Sequence, residues 1–202
     1  VDFVASTPSV TVPTTLLEVV TTGALADGTG TNSVRAVITD DNGNPAAGQT
    51  VTFQIITGTA TFTTPITVTT DINGVATVTL TSNTVGTVEI TADVEGTPIT
   101  NGSPVSVEFV ADAPDVTMPE TELEIIVTGS VADGVATNSV KAHIVDVNGH
   151  PVASQTVTFV IASGTATPTG SLTVITDANG DAVIEFTSTV AGTVTITADV
   201  NG

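Results

Sequence analysis

Few side chains in this 202-residue sequence are equipped for chemistry: 21 Asp plus Glu, two His, two Lys plus Arg and no Cys. His143 and His150 have the atoms for a metal pair, because neutral imidazole ligates transition metals. Asp40-Asp41-Asn42-Gly43-Asn44 bunches oxygen ligands on a tight turn, as a calcium loop does, yet it lacks the distal Glu of a helix-loop-helix site. A hairpin turn is the preferred reading there. Glu95, Asp112, Asp115, Glu120, Glu122 and Glu124 form a second acidic gathering, where calcium would stiffen the chain by bridging carboxylates that otherwise repel. A solvated acidic patch is the preferred alternative. Calcium is the one cofactor these residues bring into question; otherwise none is expected.

The rest of the composition excludes more than it offers. A net charge of -19 cannot neutralise phosphates, so neither nucleic acid nor an anionic lipid surface is an expected partner. Six Phe without Trp or Tyr give little to stack on a sugar or base. Without Cys there are no disulfides or thiolate sites, which leaves the redox compartment open. No apolar run approaches the ~18 residues of a membrane helix, and no basic start with an apolar core marks a signal peptide in this stretch. Hydrophobic content of 40% comes as scattered Val, Ile and Ala among Thr, which is strand composition.

What must position the candidate residues is a duplication. Asp27-Gly28 recurs as Asp133-Gly134, Val51-Thr52-Phe53 as Val157-Thr158-Phe159, Gly58-Thr59-Ala60-Thr61 as Gly164-Thr165-Ala166-Thr167, and Asn73-Gly74 as Asn179-Gly180. Each pair is 106 residues apart, so residues 1–96 lie on 107–202 without a gap, with roughly six positions in ten identical. The candidates can then be checked between copies. His143 and His150 answer to Val37 and Asn44, one on an outward strand position and one in a turn, so a shared metal site is not expected. Asp41 becomes Val147, and Asp112, Asp115, Glu120 and Glu122 answer to Ser6, Ser9, Thr14 and Leu16, so a calcium clamp is not built into the repeat. Lys141, the one candidate for a Lys-Asn isopeptide staple, answers to Arg35, which cannot form that bond. A Ser-His-Asp triad needs a cleft that simple duplication of a sandwich does not supply, so no enzyme is expected.

Within a copy the period is two. Val34, Ala36 and Ile38 alternate with Arg35, Val37 and Thr39; Val51, Phe53 and Ile55 with Thr52 and Gln54; Ala76, Val78 and Leu80 with Thr77 and Thr79; Val88, Ile90 and Ala92 with Glu89 and Thr91; Val105, Val107 and Phe109 with Ser106 and Glu108. One apolar and one Thr-rich face per run is the pattern of antiparallel sheets covered on one side. With shorter runs at Leu17/Val19 and Ile66/Val68, the spacing predicts an all-β chain: two tandem Ig-like antiparallel β-sandwiches of about seven strands each, end to end. Asn42-Gly43, Asn73-Gly74, Asn148-Gly149 and Asn179-Gly180 supply the tight turns between runs. The expected boundaries are a terminal-strand remnant of a preceding repeat at 1–7, repeat 1 at 8–112, and repeat 2 at 113–202 lacking its last strand.

The stretch from Ser33 to Pro45 into Gly48-Gln49-Thr50-Val51-Thr52-Phe53 resembles the bacterial Ig-like (group 1) repeat domains of invasin- and intimin-type surface adhesins. So does Thr70-Asp71-Ile72-Asn73-Gly74-Val75-Ala76-Thr77-Val78-Thr79-Leu80, continued by Gly86-Thr87-Val88, and the second copy repeats both motifs as Val145 to Pro151 and Thr176 to Ala182. The resemblance implies extracellular stalk modules on a bacterial surface, strung between an outer-membrane anchor and an adhesive tip. Partners implied are neighbouring repeats and, through a region outside this stretch, a host or cell-surface receptor.

Two other readings compete. Val1 to Ala5 match Val107 to Ala111, so these residues of one molecule could complete the open sheet of a neighbour and build a filament by strand donation. A ligand-binding module using loop tips such as Asp27 to Thr31 is the third, but no loop concentrates the aromatic or Arg anchors that usually carry affinity.

Overall fold

The computed structural model describes residues 4–201. Two compact units divide the chain, the first running through Val110 and the second from Ala111. The expected boundary after Asp112 lies two residues too late. Ala111 packs against the second core, and the Asp112 N–H donates to Asp146 Oδ2 at 2.9 Å, so both residues belong to the second unit. Likewise Ser6, expected in a remnant, bonds Asp40 of the first unit through its N–H at 3.0 Å. Of the matching stretch Val1 to Ala5, Val1, Asp2 and Phe3 lie outside the described residues.

The first unit contains β1 (Leu16–Thr21), β2 (Ala24–Leu25), β3 (Asn32–Val37), β4 (Thr50–Thr57), β5 (Thr61–Phe62), β6 (Thr67–Thr69), β7 (Val75–Thr81), β8 (Gly86–Val94), β9 (Thr97–Pro98) and β10 (Val105–Val110). One sheet runs β1-β3-β7-β5 and the other β2-β10-β8-β4-β6. Along one edge of β8, β10 takes residues Gly86 to Ile90 and β9 takes Asp93 and Val94. The alternating residues meet between the sheets: Val34, Ile38, Val78 and Leu80 from one face Phe53, Val88, Ile90, Val107 and Phe109 from the other, all buried. Removing each such side chain from water contributes about 2 kcal/mol.

The second unit contains β11 (Glu122–Val127), β12 (Asn138–His143), β13 (Thr156–Ser163), β14 (Thr167–Pro168), β15 (Thr173–Ile175), β16 (Asp181–Thr187) and β17 (Thr195–Val200). Its sheets are β11-β12-β16-β14 and β15-β13-β17. The second unit has seven strands and the first ten: the counterparts of β9 and β10 fall past residue 202, and β2 pairs on β10. Registers repeat down to the irregularities, with bulges at Val19/Thr21 and Ile125/Val127 and at Ile55/Thr57 and Ile161/Ser163. Gly74 and Gly180 are required in both hairpins: each has a positive φ, and a Cβ would strike the carbonyl oxygen of Ile38 or Ile144.

Candidate functional site

The acidic residues of the turns are occupied by their own backbone. Asp40, almost wholly buried, receives the N–H groups of Asn42 and Asn44 on Oδ1 at 2.9 Å, and the Asn44 amide and Ser6 N–H on Oδ2 at 3.0 Å. The Asn44 side chain first, then these N–H groups, hold its carboxyl well below the usual carboxylate range. Asp146 repeats the arrangement with the N–H groups of Asn148, His150 and Asp112. Burial pushes its carboxyl up, but the N–H groups of Asp112 and His150 outweigh that and the net direction is down. Thus Asp40 and Asp146 pin the segment that leads into each sandwich to the β3–β4 or β12–β13 turn.

Asp71 and Asp177 receive N–H groups two and four residues on, and Asp27 and Asp133 two and three residues on, at 2.7–3.0 Å. Carboxylates used in this way are turn anchors, and lone pairs directed at N–H groups are withdrawn from a cation. The loop tip from Asp27 to Thr31 is therefore organised around Asp27, whose acidity the Gly30 N–H raises most.

The calcium candidates belong to both units. Glu95 sits in the β8–β9 turn of the first unit, with φ 51°, while Asp112, Asp115, Glu120 and Glu122 are in the second. Asp112 Oδ1 accepts the Ala113 N–H, and Asp115 Oδ1 accepts both the hydroxyl and the N–H of Thr117. Glu122 pairs across β11–β12 with His143, and Glu124 binds Lys141 Nζ at 3.1 Å. Among the described residues no three His, Asp or Glu side chains converge to hold a metal ion.

Lys141, His143 and Asp181 form the surface network that sequence reasoning missed. His143 Nδ1 lies 2.6 Å from Asp181 Oδ1, and Lys141 Nζ lies 3.6 Å from Asp181 Oδ2. Cross-strand pairing creates it, since His143 faces Asp181 and Lys141 faces Glu124 in register. The Glu124 contact first, with Asp181, raises the Lys141 pKa. An amine so held stays an ammonium ion, whereas acyl attack needs the neutral amine. His150 is elsewhere, with Nδ1 3.2 Å from Asp146 Oδ2, so the two histidines serve different carboxylates.

One concave feature of the second unit combines apolar and polar lining. A groove of about 540 Å³ in the second unit is lined by β11, by Asn138 and Val140 of β12, by Phe186, and by Gly192 to Ile196. Leu123 is 42% and Ile125 66% exposed along it, although Leu17, the counterpart of Leu123, is 1% exposed.

Known proteins are similar to this chain. The chain is similar to the inverse autotransporter adhesin YeeJ of Escherichia coli (strain K12), 29% identical over 201 residues, which are 98% of this chain and 8% of that protein. It spans, in other words, a small fraction of that curated relative. Among solved structures it is similar to Yersinia pseudotuberculosis InvD, at a TM-score of 0.74 and 19% identity over 94% of this chain and 53% of the other. The D0-D1 domain of intimin is 30% identical, with 92% of this chain and 90% of that one covered and a TM-score of 0.42. The pattern of the bacterial Ig-like domain (group 1) runs through residues 14–110 and again through 120–202, and this chain belongs to that family.

Proposed function

We propose that the two units are stalk or spacer modules of an extracellular bacterial surface adhesin or fibre, carrying an adhesive tip away from the cell and performing no catalysis. The observation that carries this reading is the repetition itself: one sandwich is built twice in the same register, and its recurring acids, Asp27, Asp40, Asp71 and their counterparts, are spent inside turns. A spacer asks for stiffness and solubility, which turn-anchoring carboxylates, Thr-rich outer faces and a uniform negative charge supply. The relatives named above include an inverse autotransporter adhesin, which supports the same assignment. Receptor recognition on this reading falls to another region of the adhesin.

The test places the 202-residue chain between an outer-membrane anchor and an unrelated binding domain. Displayed on bacteria, it is expected to restore the reach of the binder as well as another pair of β-sandwiches does. Beads coated with the chain alone are expected to capture neither host cells nor polysaccharides. Specific capture by the beads would overturn the spacer reading in favour of a ligand-binding module.

A further inference from the structure

The Asn-Gly pairs that turn this chain can also react. A backbone nitrogen that has lost its proton can attack Cγ of the asparagine before it, and glycine, having no Cβ, leaves that approach open. The sequence holds six such pairs, of which the last ends at Gly202, outside the described residues. At Asn42, Asn73, Asn148 and Asn179 the following glycine donates its N–H to the carbonyl of the Asp three residues back, at 2.9–3.0 Å. Attack therefore requires the turn to open at each of these, and what separates them is how much else must move with it.

Three asparagines are locked. Gly74 and Gly180 are buried, and their carbonyls accept the N–H groups of Ile38 and Ile144 at 2.8 and 2.9 Å. The amides of Asn73 and Asn179 face Asp71 and Asp177 Oδ2 at 3.5 and 3.4 Å. Asn101 is held harder, with Nδ2 donating to the carbonyls of Val12 and Thr15 at 2.8 and 3.1 Å and its own carbonyl accepting the Leu17 N–H at 3.0 Å. The β3–β4 and β12–β13 turns differ. Asn42, Gly43, Asn148 and Gly149 are exposed, and a Cβ on either glycine would meet nothing within 4 Å. Asn42 and Asn148 give Asp40 and Asp146 only their backbone N–H, at 2.9 and 2.8 Å, and their side-chain amides have no partner among the described residues.

We propose that Asn42 and Asn148 are self-modification sites, at which the folded chain converts asparagine to aspartate and isoaspartate while Asn73, Asn101 and Asn179 persist. The Gly43 nitrogen forms a bond to Asn42 Cγ, the Cγ–Nδ2 bond breaks, and the proton from the Gly43 N–H leaves with ammonia. Water then opens the cyclic imide at either carbonyl, with no oxidation or reduction. One opening restores the normal backbone; the other routes the backbone through Cβ and Cγ and frees an α-carboxylate. That second product strikes the anchor of the turn. An extra backbone atom between residues 42 and 43 displaces Asn44, which donates its N–H and its amide to the buried Asp40 at 2.9 and 3.0 Å. At Asn148 it displaces His150, whose N–H Asp146 accepts at 2.9 Å. The inference goes beyond the spacer reading and does not rest on it.

The test ages the 202-residue chain in mildly alkaline buffer, folded and in urea, and locates the products by peptide mapping with electron-transfer fragmentation, which separates isoaspartate from aspartate. Each conversion adds ~1 Da. In the folded chain Asn42 and Asn148 are expected to convert at least about tenfold faster than Asn73, Asn101 and Asn179, and in urea the five rates should converge. An isoaspartyl methyltransferase should label the aged folded chain at positions 42 and 148. Aging is also expected to lower the melting midpoint of each unit by about 5 °C. N42D and N148D, which add the charge without the extra backbone atom, should keep theirs within about 2 °C. Comparable conversion at Asn73 or Asn179 in the folded chain, or a preference that persists undiminished in urea, overturns the proposal. An unchanged midpoint in chains that carry isoaspartate overturns the effect on the turn anchor.

Discussion

In the first unit β10 pairs with β8, whereas the counterpart of β10 falls past residue 202, so nearly the same residues can be compared with and without that strand beside them. The difference falls on residues the two units share. Thr, Val and Ile at positions 87, 88 and 90 are part of a paired strand and core; the same residues at 193, 194 and 196 line a groove. Burial is therefore conferred by neighbours distant in sequence, and an alternating pattern states only which face is available for it. The loss spreads, since the counterpart of β2 has no strand to pair and Val131 is 71% exposed.

Removing the keystone of the closed unit should make the two units alike. Phe109→Ala takes a fully buried ring from β10 and is expected to cost the first unit about 3–5 kcal/mol. Calorimetry on the whole chain should show its transition falling toward that of the second unit, and a loss below ~1 kcal/mol would break the comparison. Next in size is a matched pair of truncations. Ile90→Ala should cost about 3 kcal/mol and Ile196→Ala about 1 kcal/mol by urea denaturation, because only the first leaves an enclosed cavity.

Acid should treat the units equally. Asp27, Asp40 and Asp71 in the first and Asp133, Asp146 and Asp177 in the second all have lowered carboxyl pKa values, through the Asn44 side chain first at Asp40, the incoming Asp112 N–H at Asp146, and backbone N–H donors of the turns elsewhere. A lowered folded-state value means that the stabilisation is complete above the unfolded value of about 4 and disappears as pH falls through the lower folded value. Melting midpoints are expected to hold between pH 5 and 8 and to decline together below about pH 4; a decline in one unit alone would show that the turns are not equivalent. A smaller effect separates the units at one turn. Ser154 stands where the first unit has Gly48, at φ 62° against 76°, a conformation costly for a side chain. Ser154→Gly is expected to stabilise the second unit by about 0.5–1 kcal/mol, read as a shift in its urea midpoint, with the first unchanged. The smallest expected effect is that of EDTA or millimolar calcium, which should move neither midpoint by more than about 1 °C; a calcium-dependent rise confined to the second unit would reinstate Asp112, Asp115, Glu120 and Glu122 as ligands.

Much of the fold was legible because its signals are local. The fixed offset, the alternation of Val34-Ala36-Ile38 and its counterparts, and the Asn-Gly turns yield strands, faces and repeat number. β2, β5, β9 and β14 escaped notice because two-residue strands have no period and exist only where another strand offers an edge. The acids were legible as acids but not by role. Whether Asp146 accepts Asp112 N–H depends on a turn folding against the incoming segment, and the Lys141–Asp181 pairing depends on strand register, neither of which composition encodes. The boundary misplaced by two residues has the same origin, since the hydrogen bond that draws Asp112 into the second unit reaches across 34 positions.

Two edges of nearly the same sequence also bear on how the 202-residue chain refolds by itself. Unfolded in denaturant, it offers β10 both β8 and β17, and capture by the wrong edge would leave the first unit open until the strand is released, a misassembly characteristic of tandem repeats.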